Sequence, residues 1–104
     1  MSPAKPTDQG AALRQLRRVI ERLVRDGTVL SRSDGRVHRL FPVAASPAEG
    51  EALREWVSRE GATQTIEIGL GYGISALFVC EGLLENGDAA ARHVVVDPHQ
   101  ATRF

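Results

Sequence analysis

The chain is expected to be an α/β domain, and three observations carry that expectation. The β-prone run TQTIEIG (63–69) leads into three glycines, ISALFVCEGLLENG (74–87) has helical apolar content, and HVVVDP (93–98) sets three valines in a row. Residues 65–97 therefore read as strand, helix and strand within 33 positions, the length of one βαβ unit with parallel strands and a right-handed crossover.

Each element has a local reason. In AALRQLRRVIERLVRDG, Leu13, Leu16, Val19, Ile20, Leu23 and Val24 recur at the three-and-four spacing of one helix face, and Gly27 supplies the stop. TVLSRSDGRVHRLFPV places two β-prone runs around Asp34-Gly35, a pair suited to a tight hairpin turn, and Pro42 closes the unit. A second helix starts at SPAEGEALREWVSREG, where Ser46, Pro47 and Glu49 form a capping box. Leu53, Trp56 and Val57 are its expected buried stripe, and Gly61 ends it. The third helix carries Ile74, Leu77, Phe78, Cys80, Leu83 and Leu84, and stops at Asn86-Gly87. An unbroken valine run suggests a strand covered on both faces, as in parallel sheets.

Composition narrows the function classes. With 104 residues, 42% hydrophobic and 25% charged, the chain has the make-up of one small globular domain. MSPAKPTDQG lacks the apolar core of a signal peptide and is expected to be disordered over residues 1–10. No apolar run approaches a membrane span, so a cytoplasmic protein without a membrane partner is expected. Cys80, the single cysteine, excludes an internal disulfide and reads as a buried structural thiol. His38, His93 and His99 share no metal-ligand spacing; no metal site is expected, and all three read as surface or strand residues. Zero net charge conceals an asymmetry: residues 1–45 carry nine basic and four acidic groups, residues 46–104 the reverse. The basic end could attract an anion such as RNA, against the blander reading of a solvated helix face.

The chemistry concentrates in TIEIGLGYGIS (65–75). Gly69, Gly71 and Gly73 fall in the turn from strand to helix, where a missing Cβ permits positive φ and lets a ligand reach the main chain. Asp97 ends the next strand over the same crevice, where a carboxylate can accept hydrogen bonds from both hydroxyls of a ribose. A compact glycine turn and an aspartate before Pro98 are the plain alternatives. GYGISA also satisfies a dinucleotide fingerprint, but Gly69 as the first loop residue ends the strand cleanly and sets Glu67 just beneath the loop. That carboxylate favours a cationic ligand over a pyrophosphate.

EIGLGYGIS followed by VVVDP resembles motif I and the second-strand acidic position of class I S-adenosylmethionine (SAM)-dependent methyltransferases, over residues 65–98. The resemblance implies a Rossmann-like fold, here incomplete, with residues 62–104 starting the SAM-binding domain behind a helix and β-hairpin extension at 11–61. It implies that Glu67, Gly69, Gly71 and Gly73 hold the methionine portion and that Asp97 binds the ribose. Ser75 is similar to the serine of catechol- and caffeoyl-type O-methyltransferases, where it would contact the amino-acid end; as a helix cap it needs no ligand. The expected activity is O-methylation of a small molecule, and the extension would cover the substrate cleft, with Trp56 and Phe41 as core or cleft aromatics. The valine strand wants further neighbours, so the chain is expected to be the N-terminal part of such an enzyme, catalytically incomplete and with a sheet edge that self-association could cover. A non-catalytic module binding RNA through the arginine-rich first helix is the alternative, and a dinucleotide-dependent oxidoreductase comes third.

Overall fold

The computed structural model describes residues 6–100. Helix α1 (Pro6–Asp26) turns Leu16, Ile20, Leu23 and Val24 towards the core and ends as Gly27 adopts a positive φ. Of the ten residues expected to be disordered, 1–5 lie outside the described residues and 6–10 belong to α1.

Strands β1 (Thr28–Leu30) and β2 (Val37–Arg39) form the expected antiparallel hairpin, with Val29 opposite His38. Its connection is longer than a two-residue turn. Residues 31–36 bridge the strands, with the Ser31 amide donating to the Arg36 carbonyl and the Arg36 amide to Asp34 Oδ1. The polar run SRSDGR thus supplies its own local acceptors, which removes the need for a tight turn.

Helix α2 (Pro47–Glu60) begins at the anticipated capping box. Glu49 N–H donates to Ser46 Oγ at 3.1 Å and Ser46 N–H to Glu49 Oε1 at 3.0 Å. Ion pairing to α3 (Ile74–Asn86) ties the helices together. Arg54 of α2 reaches Glu85 at 3.0 Å, and Arg17 of α1 reaches Glu81 at 2.9 Å. One Glu81 oxygen has no hydrogen-bond partner although Arg54 lies 3.8 Å away, so that contact is Coulombic only. Asn86 completes the junction by donating to the carbonyls of Val57 and Ala62 at the end of α2.

The core forms in two clusters around α3. Ile20 and Leu40 of the N-terminal half pack with Ile74 and Phe78, while Val57 packs with Val79 and Leu83. The helix and hairpin therefore share a core with the strand–helix–strand segment.

Strands β3 (Gln64–Ile68) and β4 (Arg92–Val96) pair in parallel, Thr65 beside His93 and Glu67 beside Val95. Thr65, Glu67, His93 and Val95 are on the more covered face, whereas Ile66, Ile68, Val94 and Val96 are exposed. Coverage of β4 on both faces is thus not found: Val94 and Val96 remain 47% and 49% exposed, because helix packing reaches only one side of this two-stranded sheet. The expected α2 stripe is corrected in the same way. Val57 is buried, but Leu53 is 40% and Trp56 70% exposed, flanking a groove with Thr65, Ile66 and Glu67 of β3.

Candidate functional site

Strand β3 ends at Ile68, and residues 69–73 form the turn into α3. Gly69, Gly71 and Gly73 have φ of +85°, +56° and +85°, a region costly for other residues. The Gly69 amide donates to the Val96 carbonyl, which carries the parallel ladder into the loop, and the Gly73 amide donates to Leu70.

Asp97 turns towards this loop. Its Oδ2 accepts from the amides of Leu70 at 2.7 Å and Gly71 at 3.2 Å, while Oδ1 accepts from His99 N–H at 2.8 Å. Gln100 Nε2 donates to both Asp97 Oδ2 and the Gly71 carbonyl, each at 3.0 Å. The Leu70 amide, followed by those of His99, the Gln100 side chain and Gly71, holds the Asp97 carboxyl well below the usual carboxylate range. Asp97 is therefore the anchor of the glycine loop. With Oδ2 engaged by three donors and Oδ1 by one, the arrangement does not hold both oxygens ready for two ribose hydroxyls.

On the covered face of β3, Glu67 is bonded at both ends. Ser75 Oγ donates to Oε2, and Oε1 lies 3.1 Å from His93 Nε2. His93 Nδ1 in turn lies 2.8 Å from Thr65 Oγ1. The imidazole is only 6% exposed, so His93 is a buried partner of Glu67 rather than a surface histidine. Cys80 is half-buried; desolvation, then the Glu67 charge, raises its thiol pKa, which disfavours the nucleophilic thiolate.

A cleft of about 210 Å³ lies between residues 43–45 and the loop, lined by Val43, Ala44, Gly69, Gly71, Tyr72 and Ser75 among others. It is smaller than the roughly 300–1,000 Å³ of whole small-molecule sites, so it suits one end of a larger ligand. A larger groove of about 490 Å³ lies between the start of α1 and the end of α3, away from the glycine loop. Phe41 packs against the core, and Trp56 lies along β3 rather than at the loop cleft.

The structure thus joins Asp97 to Gly71 and Ser75 to Glu67, with Gly69, Gly71 and Ser75 lining one cleft. Sequence reasoning missed His93, Gln100 and the wall at 43–45. For His93 a signal existed: in parallel register, Thr65, Glu67 and His93 share side-chain parity. No group of three or more His, Cys, Asp or Glu residues among those described could hold a metal ion, and no described helix is long and apolar enough to cross a membrane. Compared with known proteins, the chain matches no family model, no curated protein and no solved structure.

Proposed function

We propose that this chain carries the donor-binding part of a SAM-dependent methyltransferase with a Rossmann-like fold, its acceptor a small-molecule hydroxyl as the sequence resemblance implies. The observation that carries the reading is the convergence of the glycine loop with two carboxylates, Asp97 on the Leu70 and Gly71 amides and Glu67 behind Ser75.

The fit is best at the amino-acid end of the cofactor. Ser75, whose proton goes to Glu67, offers an acceptor for an ammonium in the cleft that it lines, and the first amides of a helix such as α3 lack intrahelical partners and attract a carboxylate. A zwitterion matches that pairing. A pyrophosphate would face the Glu67 charge, which sets the dinucleotide reading behind. At the sugar end, a ribose hydroxyl takes the remaining acceptor capacity of Asp97 or displaces the Gln100 amide. The bound cofactor supplies an electrophilic methyl group on its sulfonium. These residues orient the donor, and holding donor and acceptor at attack distance provides much of the acceleration of an in-line displacement.

Arg14, Arg18, Arg22 and Arg25 are exposed along α1, which favours a second reading as an anion-binding module. Of these, Arg25 is paired with the neighbouring Asp26, and Arg17 on the same helix is engaged with Glu81 and Glu85. Titration calorimetry of the full chain with S-adenosylhomocysteine, NAD and a short RNA separates the readings. The expected outcome is binding of S-adenosylhomocysteine, weakened at least about tenfold by Asp97→Ala. Binding of NAD alone, or RNA binding alone with steep salt dependence, overturns the proposal.

A further inference from the structure

We infer that His93 is a positioning residue which, through Glu67, makes the Ser75 hydroxyl a hydrogen-bond acceptor towards the glycine-loop cleft and so selects a ligand ammonium there. The inference rests on the cofactor reading above.

A chain of single protons carries it. An ionised carboxylate only accepts, so the His93 nitrogen facing Glu67 Oε1, Nε2, bears a hydrogen. In the neutral ring Nδ1 is then the acceptor, and the Thr65 hydroxyl stands 2.8 Å from it. The Thr65 hydroxyl also lies 3.3 Å from the Arg92 carbonyl, a competing acceptor for its one proton, so it is the Nε2–H itself that ties down one Glu67 oxygen. The other oxygen, Oε2, takes the Ser75 hydroxyl proton. A hydroxyl has one proton to donate. With that proton directed at Glu67, Ser75 turns its lone pairs towards the cleft it lines. The corner thus accepts N–H donors and repels a carboxylate. Without His93, Glu67 is unlatched at Oε1, its carboxylate rotates, and Ser75 regains the choice of donating to the ligand.

The test compares S-adenosylhomocysteine with 5′-methylthioadenosine, which shares the nucleoside and thioether but lacks the amino-acid group. His93→Leu removes the donor to Glu67; His93→Gln keeps an amide N–H near the place of Nε2. Calorimetry on the full-length variants, with circular dichroism and thermal melts to verify folding, should show His93→Leu weakening S-adenosylhomocysteine about tenfold and methylthioadenosine by no more than about twofold. His93→Gln should recover most of the loss, and Ser75→Ala should reproduce the selective loss. If His93→Leu fails to fold, Ser75→Ala and His93→Gln carry the comparison. An equal loss for both ligands, or no loss for either, overturns the inference while leaving the cofactor reading intact. Failure of the wild-type chain to bind either ligand overturns both.

Discussion

Asp97 shows how one side chain can hold a whole loop. Hydrogen bonds from Leu70, His99, Gln100 and Gly71 favour its charged form and lower its pKa. Because the folded value is depressed, the loop anchor contributes fully above the ordinary value of 3.8 and is lost as pH falls through the folded value. Urea unfolding of the wild type and Asp97→Asn should therefore show a stability gap that is constant near neutrality and closes as pH drops below 3.8. A gap unchanged across that range would show that the carboxylate does not anchor the loop. The anchoring was only half legible in the sequence. Asp97 at a strand end over a glycine turn could be read from spacing; the amides it accepts from depend on the loop's three-dimensional course.

At the scale of elements, two glycines leave room for the tight packing of α2 against α3. A Cβ on Gly50 would lie 2.2 Å from the buried Phe78 ring, and one on Gly82 would lie 2.9 Å from the Arg54 carbonyl oxygen. Gly50→Ala gains up to about 1 kcal/mol of helix propensity, but overpacking of this kind costs about 1–3 kcal/mol, so the variant should be less stable. Gly10→Ala is the contrasting control, since its nearest heavy atom is an Arg14 nitrogen at 3.4 Å; it should leave stability unchanged or raise it by up to about 1 kcal/mol. Thermal melts of both variants check the pair, and a stabilised Gly50→Ala would disprove the close packing. Neither glycine was marked by the sequence, where each is one more small residue in a helical pattern. Asn86 reads locally as no more than part of a helix stop, because its bonds to Val57 and Ala62 join positions 29 and 24 residues away.

Across the whole molecule, the two faces of the β3–β4 sheet differ sharply. One carries Glu67 and His93 against the helices; the other exposes Ile68 at 77% and Ile66 at 69%. Contiguous exposed apolar strands promote association. Ile68→Lys should change unfolding free energy by no more than about 0.5 kcal/mol while lowering light scattering at raised protein concentration. Val57→Lys, at a buried position between α2 and α3, should unfold the chain. An equally large loss from Ile68→Lys would mean that the outer face is packed in solution.

The sequence by itself determined what depends on near neighbours: the helix stripe of α1, the Ser46–Glu49 capping box, the glycine turn and the parallel strand–helix–strand order. Caps, positive-φ glycines and apolar periodicity act over a few residues, so their causes are written next to their effects. Tertiary structure alone decided that Trp56 is exposed, that Gln100 bridges Asp97 and Gly71, and that His93 is buried against Glu67. Each of those outcomes depends on which surfaces and residues the fold brings together, and local propensity does not encode that.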